Sequence, residues 1–99
     1  MVDVVFHPIA EDDIGRIFDF IAADSPERAI GFVRRIRAAC LELVRFPERG
    51  RLRTDLADNV RTLVFERRVV IAYRVEDRSI VILRIFYAGQ QIDKDRFKD

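Results

Sequence analysis

Residues 60–87 read VRTLVFERRVVIAYRVEDRSIVILRIFY, and this stretch decides the fold. It contains three runs rich in β-branched and aromatic residues, Val60–Phe65, Val69–Val75 and Ser79–Tyr87. Three polar residues separate each run from the next, which is short enough for a hairpin turn. The stretch therefore predicts three consecutive antiparallel strands. Because the last run is apolar at nearly every position, we expect it to be a central strand that is covered on both faces.

Upstream of these strands, the apolar residues are spaced three and four apart, as on one face of a helix. The first helical segment begins at Pro8, and the second follows Ser25, a good N-cap, and ends at Phe46-Pro47. The two stripes comprise Ala10, Ile14, Ile17, Phe18 and Ile21, then Ala29, Phe32, Val33, Ile36, Cys40, Leu43 and Val44. Because only a few residues connect the segments, they predict an antiparallel helical hairpin.

A short β-branched run, Val2–Phe6, precedes the hairpin and predicts one further strand. We expect it to pair along one edge of the three-stranded meander, and the pattern does not select the edge. The order β-α-α-β-β-β predicts an α+β fold, an antiparallel sheet of about four strands packed against an N-terminal α-helical hairpin. At 99 residues, the chain is predicted to form a single domain, residues 1–99.

The composition is that of a globular protein, with 49% hydrophobic and 35% charged residues. No apolar run approaches the roughly 18–20 residues that span a bilayer, and no basic signal-peptide region opens the chain, so we expect a cytoplasmic protein. One cysteine and one histidine offer no zinc-ligand spacing, and we expect no metal or other cofactor. Since Cys40 falls on the apolar stripe, we interpret it as a core residue rather than a nucleophile.

The charges are unevenly distributed along the chain. Residues 1–27 carry seven acids and one arginine, a net charge of −6. Residues 28–53 carry eight arginines and two glutamates, a net charge of +6. The basic segment could attract an acidic partner, or its charges could serve solubility alone. Asp12 and Asp13 are interpreted as acids that favour the positive end of the first helix dipole.

Arginines and tyrosines of the sheet are the candidates for chemistry. An arginine could stabilise the phosphate of a 2′-OH transesterification, while a tyrosine handles protons. The set that could act in RNA cleavage comprises Arg61, Arg67, Arg84 and Tyr87. Alternation along the last strand groups Arg84 with Ile82 and groups Tyr87 with Ile85 on the opposite face. Unless a bulge intervenes, Arg84 and Tyr87 therefore point to opposite faces, which weakens a joint role. In the alternative interpretation, Arg84 pairs with an acid at the sheet rim and the tyrosines only pack.

Short segments spread from Val4 to Gln91 carry a family resemblance. They are Pro8–Ile14, Ile21–Ala29, Phe46–Arg51, Leu56, Val60–Leu63, Ile71–Val75 and Ile82–Ile85. In this order and at these spacings, they resemble the ParE-like toxins of the RelE/ParE superfamily. The resemblance implies the fold predicted above. It also implies the toxin of a type II toxin–antitoxin system, held in a hetero-oligomer with a cognate ParD-like antitoxin.

The resemblance leaves three alternatives for the activity. ParE-like members imply inhibition of DNA gyrase by binding, without catalysis by the toxin, and this is our first expectation. RelE-like members imply cleavage of messenger RNA on the ribosome, by the arginines and tyrosine named above. A degenerate toxin that retains only antitoxin binding is the third. The chain reads Tyr87-Ala88-Gly89-Gln90-Gln91 where the ParE pattern usually has histidine, glycine and a basic residue.

Antitoxin binding is common to all three alternatives. We expect it on the sheet face and in the groove of the helical hairpin. Ile30 and Leu41 lie off the main stripe of the second helix, so they are predicted to be exposed apolar contacts, or else scattered surface hydrophobes. Arg74 and Arg84 complete the predicted antitoxin-binding set.

Overall fold

The structure is a computed structural model that describes residues 2–88. A helical hairpin lies on one face of a five-stranded sheet, so the predicted α+β fold is confirmed. The elements are β1 (Asp3–Phe6), α1 (Pro8–Ala22), α2 (Pro26–Glu42), β2 (Arg51–Leu52), β3 (Val60–Phe65), β4 (Val69–Val75) and β5 (Ser79–Tyr87). None of the helices within these residues is long and apolar enough to cross a bilayer.

Both helices begin at capping residues that accept a backbone hydrogen bond. The Nδ1 atom of His7 accepts from the amide of Ile9 at 3.1 Å, and the Oγ atom of Ser25 accepts from the amide of Arg28 at 3.3 Å. A proline follows each cap, where its missing amide costs no helical hydrogen bond. The helices therefore start where the sequence predicts.

The strand order is β1-β5-β4-β3-β2, and β3, β4 and β5 form the predicted antiparallel meander. Two details differ from the prediction. β1 pairs with β5 in parallel, from Asp3 opposite Ser79 to Phe6 opposite Ile82, so the sheet is mixed. The fifth strand is β2, which consists of two residues in the segment between α2 and β3 and pairs with β3. Neither detail could be predicted, because a short strand pattern does not encode its partner or its direction.

The core lies between the helices and the sheet. A bulge in β5 decides which residues face it, because Ala72 pairs with Arg84 whereas Tyr73 pairs with Ile82. The extra residue shifts the alternation, so Ile82 and Ile85 both join the core. Regular alternation would have placed these two isoleucines on opposite faces, and the bulge, which is the exception that the sequence analysis allowed, brings them to the same face.

Candidate partner-binding surfaces

Arg84 lies inside the protein, with 9% of its surface exposed. Its Nε and Nη2 atoms donate to the carboxylate of Asp13, at 2.9 and 3.2 Å, and the amide of Ile85 donates to the same carboxylate at 2.9 Å. The pairing of β1 with β5 ends at Ile82, so beyond that point Asp13 of α1, instead of a strand, accepts the backbone hydrogen bond from the Ile85 amide. Arg84 therefore has the acidic partner of the alternative interpretation and offers little surface to an antitoxin or to RNA. Asp13 is not a simple helix-start acid, since it is 4% exposed.

The other three residues of the predicted cleavage set lie apart from Arg84. The ring of Tyr87 packs edge-on against Phe20 and Phe32 on the helix side of the sheet, with centroids 5.8 and 5.6 Å away. Arg61 lies on β3, which β4 separates from β5, and it donates to the carbonyl of Gly50 at 3.0 Å. Arg67 is exposed in the turn between β3 and β4. The four side chains therefore do not share one cleft.

Cys40 and His7, the remaining side chains that could take part in catalysis, have structural roles. Cys40 is fully buried, and burial raises the pKa of its thiol to about 12, which suits the predicted core role. His7 caps α1 through its Nδ1 atom. Among residues 2–88, no three side chains of the metal-ligating types are grouped as a metal site would require.

Tyr73 connects two of the segments that carry the family resemblance. Its hydroxyl donates to the carbonyl of Pro47 at 2.8 Å and accepts from the amide of Gly50 at 2.7 Å. A Cβ atom on Gly50 would lie 2.6 Å from that hydroxyl, so only glycine fits there. Burial raises the pKa of Tyr73 above its ordinary value. The segment that follows α2 is thereby fastened to the centre of the sheet, a role that sequence reasoning missed.

Ion pairs at the surface of the protein neutralise several of the arginines of the basic segment, residues 28–53. Arg37 pairs with Glu11 of α1 at 2.6 Å, which joins the two helices. Arg35 pairs with Glu66 at 2.8 Å, which joins α2 to the turn between β3 and β4. Arg53 pairs with Asp55, also at 2.8 Å. The opposite net charges of the first two chain segments are therefore used partly within the protein.

Exposed apolar side chains lie along α2 and beyond its end. Ile30 and Leu41 are 44% and 57% exposed, so both have the exposure that their predicted role requires. Phe46 is 64% exposed, and with Val75 it lines an open groove of about 850 Å³, here called the Phe46 groove. Its other lining residues are Arg45, Pro47, Glu48 and Arg49. Arg74, half-buried, donates to the carbonyl of Asp58 at 3.3 Å.

A second concavity, here called the hairpin pocket, has a volume of about 420 Å³. It opens where the connection between the helices meets the turn between β3 and β4. Its lining residues are Ile21, Glu27, Arg28, Gly31, Phe32, Arg35, Glu66, Arg68 and Tyr87. Apolar walls and charged rims in one pocket suit a ligand that has both kinds of group.

Residues 4–92 match the family described as the ParE toxin of the type II toxin–antitoxin system parDE. The chain belongs to the ParE toxin family. This ParE-family toxin is 37% identical over 90 residues to Toxin RelE2 of Caulobacter vibrioides, across 91% of the chain and 99% of that relative. It also resembles a structure described as the chromosomal ParDE TA system from P. aeruginosa, with a TM-score of 0.75 and 29% identity over 88% of this chain and 96% of that one.

Family membership makes the chain a toxin of a type II toxin–antitoxin system and implies an antitoxin partner. The resemblance noted in the sequence is thereby confirmed. Part of the departure at the end of β5, Gly89-Gln90-Gln91, lies outside the described residues. Two features of the toxin carried too little signal for sequence reasoning. Asp13 stands beside an equally acidic Asp12, and Tyr73 lies in a strand where an apolar residue would fit the pattern as well.

Proposed function

We propose that this ParE-family toxin inhibits DNA gyrase by binding to it, with no catalytic step of its own. The observation that carries the proposal is the separation of the four side chains that could have cleaved RNA. The guanidinium of Arg84 is held by Asp13, and the ring of Tyr87 packs on the helix side, while Arg61 is engaged at Gly50. An acid–base mechanism needs its groups within reach of one reacting phosphate.

A binding mechanism also agrees with the surfaces that the toxin exposes. The Phe46 groove combines an exposed aromatic side chain with the cationic side chains of Arg45 and Arg49. Aromatic residues and arginine are enriched at the energetic centres of protein–protein interfaces. The antitoxin would neutralise the toxin by occupying part of this exposed surface in a cytoplasmic hetero-oligomer.

Supercoiling of relaxed plasmid by purified gyrase tests the proposal. We expect the purified toxin to inhibit supercoiling or to trap the cleaved complex, and premixing with the antitoxin encoded beside it to restore activity. Folded toxin that leaves gyrase unaffected would contradict the proposal. Messenger RNA mapped after induction gives an independent reading, because cuts at codon boundaries would indicate ribosome-dependent cleavage instead. Induction without growth arrest would indicate a chain that retains antitoxin binding alone.

A matched variant separates binding from cleavage. Arg67→Gln removes a cation of the predicted cleavage set that is exposed and outside both concavities. We expect this variant to arrest growth as the unmodified toxin does, at equal expression. A loss of arrest with the fold intact, measured by circular dichroism, would favour the cleavage mechanism.

A further inference from the structure

Tyr87 lines the hairpin pocket, and its hydroxyl has no hydrogen-bond partner among residues 2–88. Only 9% of the surface of Tyr87 is exposed, and the rings of Phe20 and Phe32 pack edge-on against its ring. Within residues 2–88 no hydrogen bond reaches this hydroxyl, and no polar side-chain atom of this region is both buried and unpaired. The hydroxyl therefore retains access to solvent, and Tyr87 is one of the residues that line the pocket. It can donate one hydrogen bond to a ligand there.

Arg68 provides the cation of the pocket that is not already in an ion pair. Arg35 pairs with Glu66, and Arg28 pairs with Asp24 at 3.2 Å. Arg68 makes no salt bridge within the described part of the chain, although its charge, after the hydrogen bond from Arg35, helps to lower the pKa of Glu66. Its carbonyl accepts from the amide of Ala88 at 2.6 Å, which fixes its backbone beside the end of β5. One phenol and one guanidinium that forms no salt bridge therefore line the same pocket.

The backbone that carries this rim is in an unfavourable conformation. Glu66 and Arg67 have φ values of 50° and 60°, in the left-handed region that residues with a Cβ atom rarely adopt. Such a conformation costs about 1–2 kcal/mol per residue. Two successive left-handed residues form the type I′ turn that matches the twist of a tight hairpin, so the connection between β3 and β4 itself accounts for this conformation. Here the turn positions Glu66 against Arg35 and places Arg68 on the pocket.

We propose that the hairpin pocket binds one carboxylate side chain, with an apolar neighbour, from an acidic segment of the antitoxin. The carboxylate accepts hydrogen bonds from Arg68 and from the Tyr87 hydroxyl, while the apolar neighbour packs on Phe32 and Ile21. This inference takes its partner from the proposed toxin–antitoxin complex and does not depend on gyrase. It goes further by naming the pocket and the chemistry that fills it.

The charges of the pocket favour a single carboxylate over a nucleic-acid strand. Three arginines and two glutamates line it, which gives a net charge of +1. A nucleic-acid backbone carries one negative charge per nucleotide and would meet Glu27 and Glu66 at this rim. A lone carboxylate with an apolar neighbour meets one available cation, one hydroxyl and an aromatic wall.

Amide chemical shifts of the ¹⁵N-labelled toxin test the proposal with a small probe, N-acetyl-Leu-Glu-amide. We expect saturable shifts at Gly31, Arg68 and Tyr87, with a dissociation constant of about 1 mM, as befits a ligand of this size. N-acetyl-Leu-Gln-amide should bind about tenfold more weakly, because it lacks the charge. Adenosine monophosphate is the third probe. Absent or unsaturable shifts, equal binding of the two dipeptides, or preference for the nucleotide would each overturn the proposal.

Three variants assign the binding to the named groups. Tyr87→Phe removes only the hydroxyl and Arg68→Gln removes only the charge, so each should weaken the glutamate probe about fivefold to tenfold. Arg78→Gln is the matched control, since Arg78 is exposed in the turn between β4 and β5 and lines neither concavity. Equal affinity of Tyr87→Phe and unmodified toxin would remove the hydroxyl from the site. Inhibition of gyrase without binding of the glutamate probe would contradict this inference alone. Binding of the probe without inhibition of gyrase would contradict only the proposed function.

Discussion

Two tyrosines of the sheet have similar burial and opposite hydrogen bonding. Tyr73 both donates and accepts, whereas the hydroxyl of Tyr87 has no partner within residues 2–88. Tyr73→Phe leaves the Pro47 carbonyl and the Gly50 amide without this partner, so we expect a loss of about 1–3 kcal/mol in the free energy of unfolding. Tyr87→Phe should change it by less than about 0.5 kcal/mol. Urea denaturation of both variants measures the difference, and equal losses would contradict the assignment.

Arg67 shows the cost of a left-handed backbone at a single residue. Arg67→Gly removes the Cβ atom that disfavours a φ of 60°, and we expect the toxin to be stabilised by about 1 kcal/mol. Arg78→Gly is the control, because among residues 2–88 only Asn59, Glu66 and Arg67 have a positive φ outside glycine. That control should be destabilised by about 0.5–1 kcal/mol through the added freedom of the unfolded chain. Thermal denaturation with the same sign for both variants would refute the argument.

Among the elements, α1 and β5 are joined by one buried carboxylate. Asp13→Ala removes the partner of the Arg84 guanidinium and of the Ile85 amide, and we expect a loss of about 3–5 kcal/mol in stability. Asp12→Ala is a close control, since the neighbouring acid is exposed and should matter by less than about 0.5 kcal/mol. Chemical denaturation compares the two. Similar losses would mean that the buried ion pair contributes no more than a surface acid.

The helices show how far sequence reasoning reaches for an element. The apolar stripe of α2 predicted burial correctly at Phe32 and Ile36, because a helix with one dry face must repeat at 3.6 residues. The same stripe included Val44, which is 39% exposed, because α2 ends at Glu42 and the chain then turns. Periodicity predicts the middle of a helix better than its end.

The sheet and the candidate sites show where that reasoning stops. The parallel pairing of β1 and the bulge at Leu83 depend on contacts between distant segments, and a local pattern does not contain them. The exposure of Ile30 and Leu41 followed from their positions off the stripe. The hairpin pocket did not follow, because its walls come from three parts of the chain that no spacing relates.

For the whole molecule, the raised pKa values of a buried thiol and a buried phenol predict that the free energy of unfolding decreases at alkaline pH. Burial raises the pKa of Cys40 to about 12 and also raises that of Tyr73. A group with a raised folded-state pKa contributes its full stability below its unfolded pKa and loses it as the pH rises towards the folded value. We therefore expect the free energy of unfolding to fall from about pH 9, and more steeply above about pH 10, where tyrosine also ionises in the unfolded chain.

Urea denaturation between pH 7 and pH 11 measures this profile. Cys40→Ala is the informative variant, because it starts from a lower stability at pH 7 but should lose little more until about pH 10. The comparison therefore concerns the slope of the free energy of unfolding against pH, and not its absolute value at pH 7. Identical slopes for the two proteins between pH 8 and pH 10 would show that the thiol is not involved.

Because the first strand pairs with the last one, the sheet cannot be completed until the end of the described chain has been synthesised. Asp3 pairs with Ser79, which leaves the ribosome 76 residues later. At about 5–20 residues per second, β1 is made about 4–15 s before the strand with which it pairs, and the helical hairpin, which ends at Glu42, is complete about 2–7 s before that strand begins. A nascent chain of this toxin therefore has no finished sheet until translation has passed β5, and its antitoxin has that interval in which to meet it.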